Sequence, residues 1–336
     1  MNLELAANRK SNNLNLMKFV AAVLVVFSHA YAVTGSGEDP LFRFSRNQIT
    51  FGGLAVTVFF FASGFYVTKS LLRRGNRAYW KSRFGKIYPS LTVVIVCTAF
   101  IMGPIVSTKT LAAYFSSPET YRYLEYLLMI PRYSLPGVFR ENPSSVVNGS
   151  LWTIILEMIC YLGLFIAYQI HLLDKKKMKL LNVVFVAGVL IAFGMKPKSI
   201  FAYHSYLRPL CLFIAGMDYY IFREEIKLDW KVGTGVLIGG ILLCLLHCLD
   251  LAMIFAFPYL LSLIIFSSHQ IDARIGDLGK YSYGMYLTAF PIQQCVVRSF
   301  PNAGILMNTV CSSLVSFLLA ILLFYIIEKP VAQSLR

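Results

Sequence analysis

Ten long apolar runs, separated by short polar segments, restrict the folds open to this chain. A helix needs about 20 mostly apolar residues to cross a bilayer. Runs close to that length lie at 15–34, 51–72, 87–106, 150–173, 179–195, 200–222, 232–249, 251–268, 281–299 and 305–327. Only helices and closed barrels satisfy their backbone in lipid, and the alternating pattern of barrel strands is absent here. We therefore predict an all-α polytopic membrane protein with about ten transmembrane helices.

Composition agrees with this prediction, and the placement of the charges predicts the topology. Of 336 residues, 57% are hydrophobic and 14% are charged, whereas soluble domains carry roughly 25% charged residues. A net charge of +15 can indicate nucleic-acid binding, but these cations form short clusters between apolar runs, as in cytoplasmic loops. An inner N-terminus puts most of the 31 Lys and Arg residues inside. We expect both termini in the cytoplasm and no nucleic-acid partner.

The cysteines and the lack of internal repeats bound the domain organisation. Almost all of the seven cysteines fall inside apolar runs, so we predict no structural disulfide. Cys244-Leu-Leu-His247-Cys248 has metal-like spacing but lacks a second ligand pair, so we predict no metal. We find no repeat, and we expect one transmembrane domain over 1–336 without an appended extracytoplasmic domain.

The first apolar run carries a cation, Lys18, and a histidine, His29, eleven residues later. In an α-helix this spacing is about three turns, so both side chains share a face, roughly 16 Å apart. A titratable side chain in an apolar helix is costly and indicates function. Simpler interpretations are a lysine anchored at the lipid headgroups and a structurally hydrogen-bonded histidine. A cleaved signal peptide, with Arg9 and Lys10 before its core, would remove a helix that nine others need.

Two further segments carry costly charges. A basic loop after the second run holds six cations and no acid, which are Arg73, Arg74, Arg77, Lys81, Arg83 and Lys86. It fits either inner-side topology alone or a polyanion site, where Tyr79 and Trp80 would stack on an adenine. Glu157 lies mid-helix in the fourth run, five residues after Trp152 and four before Tyr161.

The role of Glu157 has two interpretations. It could orient His29 and stabilise its charged form, as the acid of a catalytic triad does. Alternatively, it is a structural tie to Arg208 or to a tyrosine hydroxyl. We expect the other four histidines (His171, His204, His247 and His269) to be structural. Of the long outer segments at 35–50 and 107–149, the second holds an amphipathic piece, 121–131, suited to the membrane interface.

Four blocks in this order resemble the membrane acyltransferase-3 family, the O-acetylases of bacterial surface polysaccharides. The first is Asn12-Asn-Leu-Asn15-Leu-Met-Lys18 through His29. The second joins Phe59-Phe-Phe-Ala-Ser63-Gly64-Phe with Arg83-Phe-Gly-Lys86-Ile-Tyr-Pro89. The third joins Leu135-Pro-Gly-Val-Phe, Asn148-Gly-Ser150-Leu-Trp152 and Glu157 to Tyr161, and the fourth is Tyr281-Ser-Tyr283-Gly-Met-Tyr286-Leu. The blocks cover about 10–295. The chain departs from the family pattern by having lysine for arginine at positions 18 and 86, and Asn15 where an acid is common.

The resemblance implies that acetyl-CoA enters from the cytoplasm and that the acceptor is a sugar hydroxyl on the outer side. Catalysis is expected from His29 and Glu157, and donor binding from Lys18, Arg73, Arg83 and Lys86. Trp152, Tyr161, Asn148, Ser150 and Tyr283 would support the site. His29 would act as general base or through a transient acetyl-histidine.

The acceptor is expected to be a surface or secreted polysaccharide or a lipid-linked glycan, and the membrane a bacterial inner membrane. The oligomeric state is left open. The alternative is a proton-coupled transporter or flippase of a sugar-containing substrate, with His29 and Glu157 as a proton relay. Against that alternative, the sequence has no inverted repeat and no paired broken helices.

Overall fold

The computed structural model describes residues 2–8, 12–195, 206–267 and 277–335. Within these ranges the secondary structure is helical, and β-pairing is limited to two isolated bridges, Asn2 with Lys227 and Ser107 with Val138. The prediction of an all-α chain is confirmed. His204 and His269 lie outside the described residues, as do Arg9 and Lys10.

The long helices, labelled in chain order, cover the predicted apolar runs. They are α1 (Leu14–Thr34), α2 (Phe51–Cys97), α3 (Trp152–Gln169), α4 (Lys175–Met195), α5 (Leu207–Ile221), α6 (Trp230–Leu245), α7 (Phe257–Ile265), α8 (Ser282–Ser299) and α9 (Ile305–Leu323). Shorter helices are Leu3–Ala7, Pro40–Phe44, Gly103–Val106, Leu111–Phe115, Pro118–Arg122, Leu249–Leu251 and Lys329–Ser334. π-Helical turns at Thr98–Met102, Ala252–Ala256 and Phe324–Glu328 continue their neighbours, and 3₁₀ turns lie at Tyr123–Leu128 and Asp277–Tyr281.

Four helical stretches of the described chain are long and apolar enough to cross a membrane. They are Leu14–Thr34, Phe51–Val106, Trp152–Gln169 and Ile305–Ser334. The helices at Trp230–Leu245 and Leu249–Ile265 are apolar but shorter. These helices support a membrane-embedded protein, while the number of about ten crossings and the cytoplasmic termini stay predictions.

The basic segment at 73–86 is helical, so the prediction of a loop there is wrong. Helix α2 joins the second and third apolar runs and is interrupted only at Gly75, with φ +74° and ψ 178°. Glycine adopts this left-handed φ at little steric cost. Beyond it, Trp80 stacks on Phe84, which in turn packs on Tyr88, each pair with ring centroids 5.4 Å apart. Contacts at this i, i+4 spacing stabilise a helix, which explains why the charged segment does not unwind.

Residue contacts divide the chain into two compact units. Unit 1 comprises 1–18, 41–76 and 156–277, and unit 2 comprises 19–40, 77–155 and 278–336. The break at Gly75 in α2 lies next to the boundary between residues 76 and 77. Each unit has its own internal packing, described in turn below.

In unit 1, the first part of α2 and helix α5 touch backbone to backbone through two glycines. A Cβ on Gly64 would lie 2.1 Å from the carbonyl oxygen of Phe213, and a Cβ on Gly216 would lie 2.1 Å from that of Phe61. Helices in lipid associate through such small residues, because close approach maximises dispersion contacts. This crossing fixes the place of Ser63, the residue before Gly64.

In unit 2, buried amides join helices α8 and α9 to the part of α1 that carries His29. The Gln293 amide nitrogen donates to the carbonyl oxygen of Val26 at 2.7 Å and to Asn308 Oδ1 at 3.0 Å. The Asn308 amide donates back to the Gln293 carbonyl at 3.0 Å. Both side chains are fully buried. Buried amides need such partners, so these bonds set the register of α8 against α1 and α9.

The segment 107–149 is packed through its tyrosines. The Tyr114 hydroxyl donates to the carbonyl oxygen of Ala99 at 2.8 Å, and a Cβ on Gly103 would lie 2.0 Å from that hydroxyl. Burial raises the pKa of Tyr114 to about 12. Tyr123 and Tyr126 of the predicted amphipathic piece are also buried. The segment is therefore a folded part of unit 2, and its location at a membrane interface stays a prediction.

Candidate active site

His29 lies on α1 in unit 2, and one of its ring nitrogens, Nδ1, is buried. The imidazole meets the ring of Phe290 edge-on, with centroids 5.2 Å apart and planes at 75°. Its Nδ1 has no hydrogen-bond partner among the described residues. An unpaired buried nitrogen is destabilising, so the interpretation of His29 as a structurally hydrogen-bonded histidine lacks support at Nδ1. An imidazole in this state could accept a proton from a substrate.

Asp39 is a buried acid that lies ten residues after His29, and the sequence does not predict its burial. The Ser28 hydroxyl, one residue before His29, donates to Asp39 Oδ2 at 2.6 Å, and Asp39 is only 5% exposed. The sequence predicts that Asp39 lies in an outer segment, where its negative charge offsets the positive charge of nearby cations. Its burial depends on residues 35–40 folding back on α1, and no local pattern encodes that.

Asn148 replaces a backbone donor that a proline removes from α8. Pro291 has no N–H for the carbonyl of Leu287, four residues earlier, so that carbonyl loses its helical partner. The Asn148 amide nitrogen donates to this oxygen at 2.9 Å. Both Asn148 and Leu287 are fully buried. The predicted supporting role of Asn148 thereby gains a structural basis.

Ser150 is held in place by hydrogen bonds of its backbone rather than of its side chain, as far as the described residues show. Its carbonyl accepts from the Tyr286 hydroxyl at 2.7 Å, and its N–H donates to Asn148 Oδ1 at 3.2 Å. The Ser150 Oγ is buried and has no hydrogen-bond partner among the described residues. Trp152, also predicted to support the site, begins α3 in this unit and is half-buried. The turn 148–150 is therefore tied to α8 at two successive residues, Tyr286 and Leu287.

Replacing Asn148 with alanine should lower the free energy of unfolding by about 1–3 kcal/mol, because the buried Leu287 carbonyl loses its donor. Restoring an N–H through Pro291→Ala should recover part of this loss in the double variant. Thermal unfolding of the purified variants in detergent would measure both effects. A double variant less stable than Asn148→Ala alone would contradict this account of the proline.

In unit 1, the side-chain oxygens of Ser63, Tyr161 and Glu157 form a triangle in which both hydroxyls donate to the carboxylate. Ser63 Oγ donates to Glu157 Oε1 at 3.1 Å, and the Tyr161 hydroxyl donates to the same oxygen. Ser63 Oγ and the Tyr161 hydroxyl are 3.2 Å apart. The prediction that Tyr161 shares a face with Glu157 is confirmed. Ser63 was seen only as part of a family block, because its partner comes from a distant helix.

Of the two alternative structural partners predicted for Glu157, the structure shows one. The tie to a tyrosine hydroxyl is present, but Arg208 does not serve as the partner of Glu157. Arg208 instead forms an ion pair with Asp250 at 2.6 Å and donates to the carbonyl oxygen of Gln48 at 3.0 Å. Since Glu157 lies in unit 1 and His29 in unit 2, the predicted pairing of these two residues stays a prediction.

The predicted donor-binding cations of unit 1 lie on α1 and α2. Lys18 is half-buried on α1, eleven residues before His29 on the same helix. Arg73 is exposed on α2, one turn after Lys69. The positive charges of Arg73 and Arg223 both repel the positive charge of Lys69. Like charges four residues apart destabilise a helix, so an anion bound near Arg73 and Lys69 would stabilise this one.

The predicted donor-binding cations of unit 2 follow the break in α2. Arg83 is half-buried and donates to Ser82 Oγ at 2.8 Å, and Lys86 is exposed. The Tyr283 hydroxyl donates to the carbonyl oxygen of Ile87 at 2.9 Å, which attaches α8 beside Lys86. The positive charge of Lys86 attracts the carboxylate of Glu328. That carboxylate also accepts a hydrogen bond from the Ser90 hydroxyl. Tyr283 therefore supports the helix that carries the two cations.

Within the described ranges, the remaining histidines and the cysteines do not form a further candidate site. His171 and His247 are exposed residues with left-handed backbone conformations. The seven cysteines are unpaired. Among the described residues, no group of three His, Cys, Asp or Glu side chains is placed to hold a metal ion.

The comparisons with known proteins identify the class of protein that carries this site. The chain belongs to the acyltransferase-3 family, whose acyltransferase domain matches residues 11–329. It is 28% identical over 332 residues to an O-acetyl transferase of Shigella phage Sf6, covering 95% of this chain and 96% of that protein. It is also 30% identical over 167 residues to nodulation protein 10 of Rhizobium leguminosarum bv. viciae, covering 46% and 43%. No solved structure matches the chain significantly. Family membership favours an acyltransferase over the transporter alternative.

Proposed function

We propose that the protein is an integral membrane O-acetyltransferase. It moves an acetyl group from cytoplasmic acetyl-CoA to a sugar hydroxyl of a surface or secreted polysaccharide or a lipid-linked oligosaccharide. The observation that carries the proposal is the buried Nδ1 of His29, which finds no hydrogen-bond partner in the part of the chain that the structure describes, on an apolar helix of an acyltransferase-3 protein. The similar phage protein is named an O-acetyl transferase, which supports acetyl as the group and oxygen as the acceptor atom.

His29 takes the role of general base. Its neutral imidazole accepts the proton of the sugar hydroxyl as that oxygen bonds to the thioester carbonyl carbon. The carbon–sulfur bond then breaks, and the CoA sulfur leaves with the proton returned from the imidazolium. A transient acetyl-histidine, formed by attack of the imidazole itself, gives the same products in two steps.

Glu157 stabilises the positive charge that develops on His29. Its carboxylate is held by Ser63 and Tyr161, so its orientation does not depend on the protonation state of the histidine. A fixed negative charge lowers the free energy of an imidazolium more than that of a neutral imidazole. The triangle is suited to this role, because its two hydroxyls keep the carboxylate in place.

The donor is held through its phosphates by Lys18, Arg73, Arg83 and Lys86. Lys69, one turn before Arg73 on α2, supplies an additional positive charge. Cationic side chains match phosphate charge, and arginine adds paired hydrogen bonds. We place this end of the protein on the cytoplasmic side of a bacterial inner membrane, where acetyl-CoA is available. The acceptor is then modified on the opposite side, by a multi-pass chain whose termini are both cytoplasmic.

Neutralising the donor cations with Arg83→Gln and Lys86→Gln together should raise the KM for acetyl-CoA about 10²- to 10⁴-fold. The reason is that each lost charged hydrogen bond costs about 1.5–3 kcal/mol. The kcat should change less than about threefold, since neither residue meets the reacting atoms. Acetyl-CoA titrations with membrane vesicles containing each variant would give both constants.

The matched control for these charges is Lys176→Gln with Lys231→Gln. Both lysines are exposed, and our topology puts them on the same inner side. This control should leave the KM unchanged. An unchanged KM in the Arg83 and Lys86 variant would remove both residues from the donor site. Mass analysis of surface glycans from cells with and without the gene would identify the acceptor. If the glycans kept all their acetyl groups without the gene, the proposed function would be refuted.

A further inference from the structure

Phe290 contacts both the imidazole of His29 and the turn at residues 148–150, all within unit 2. Its ring meets the His29 ring edge-on at 5.2 Å. A Cβ built on Gly149 would lie 2.8 Å from Cε2 and 3.0 Å from Cζ of the same ring. Phe290 is 6% exposed and packs with Val33 and Val297. The ring therefore has little room to move, and His29 rests against one of its sides.

The backbone on both sides of this contact is held by hydrogen bonds. Asn148 and Ser150 flank Gly149 and are bonded to Leu287 and Tyr286, about one turn before Phe290 on α8. On the other side, Gln293 of α8 donates to the carbonyl of Val26, nearly one turn before His29 on α1. With the turn and both helices held, the orientation of the Phe290 ring is the variable that can shift the imidazole.

We propose that Phe290 is a positioning residue for His29, and that Gly149 is glycine because any side chain there would displace the Phe290 ring. This inference rests on the proposed function, in which His29 is the base. Edge-to-face ring pairs have a preferred geometry, so the Phe290 ring selects the direction in which Nδ1 points. An error of about 1 Å in the place of a reacting group can cost about 10²-fold in rate.

The sharpest test adds a single methyl group. Gly149 does not have a positive φ, so alanine suits its backbone, and Gly149→Ala changes only the space that Phe290 needs. Gly163→Ala is the matched control, because no atom lies within 4 Å of a Cβ at that position. We expect Gly149→Ala to lower the kcat about 10- to 100-fold, with the KM for acetyl-CoA unchanged, and Gly163→Ala to leave both constants unchanged.

A double-variant cycle tests whether the effect passes through Phe290. In a Phe290→Leu background the ring is gone, so adding Gly149→Ala should lower the kcat less than twofold further. Phe290→Tyr should retain more activity than Phe290→Leu. Phe317→Leu serves as a control, because Phe317 makes similar edge contacts to Phe19 and Tyr281 in unit 2. Its kcat should match that of the unaltered protein.

A readout independent of catalysis separates this inference from the proposed function. The rate at which diethyl pyrocarbonate modifies His29 in the full chain, followed by peptide mass spectrometry, reports imidazole access and protonation. We expect that rate to change at least threefold in Gly149→Ala and Phe290→Leu and to stay constant in both controls. Unchanged modification and an unchanged kcat would overturn the positioning role. Changed modification together with full activity of His29→Ala would instead overturn the proposed function.

Discussion

Replacing His29 with alanine should lower acetyl transfer by at least about 10²- to 10⁴-fold, the range that a positioned general base contributes. An acetyl-histidine mechanism predicts an even larger loss, because the covalent intermediate could not form. The amount of protein in the membrane should stay normal, since Nδ1 has no hydrogen bond to lose among the described residues. The measurement is the initial rate of CoA thiol release from acetyl-CoA by membrane vesicles that carry the host's glycans.

The control for His29 is a second histidine replaced without backbone strain. His247 is exposed with φ +59°, and asparagine tolerates that conformation better than alanine. His247→Asn should therefore keep full activity. Activity of His29→Ala within threefold of the unaltered protein would show that His29 is a structural histidine in an apolar helix, and the proposed mechanism would fail.

Glu157→Gln should lower the kcat by about 10²-fold or more, although the side chain keeps its size. Glutamine can still accept hydrogen bonds from Ser63 and Tyr161, so the triangle loses only its negative charge. Without that charge the imidazolium of His29 is less stable, so the proton transfer that forms it is slower. The same vesicle assay measures the effect, with the amount of protein checked in each membrane preparation.

Tyr161→Phe and Ser63→Ala separate the charge of Glu157 from its hydrogen bonds. Each of these variants removes one donor to the carboxylate and leaves the charge, so each should lower the kcat only about 2- to 13-fold, from about 0.5–1.5 kcal/mol per hydrogen bond. If Glu157→Gln kept its activity while Tyr161→Phe and Ser63→Ala lost stability, Glu157 would be only a tie between α2 and α3.

Much of the helical architecture could be read from hydrophobic runs, because burial in lipid requires a length and a composition that are local properties. The runs at 15–34 and 305–327 coincide with α1 and α9 almost residue for residue. The face shared by Glu157 and Tyr161 was also predictable, since four residues always make one helical turn. The same local rule failed at 73–86, where charge suggested a loop and aromatic contacts instead sustain α2.

What the sequence alone determined is therefore the class of fold, the family, and the two costly side chains, His29 and Glu157. The fold class and the two costly side chains follow from composition and spacing, and the family follows from the four sequence blocks that resemble it. None of these depends on how the helices pack. Only the tertiary structure showed that Asn148 supplies the donor that Pro291 removes, that Ser63 completes the Glu157 triangle, and that the Phe290 ring meets both Gly149 and His29. Each of these contacts joins residues more than 90 positions apart in the chain, and their pairing is decided by the close packing of whole helices rather than by any local pattern.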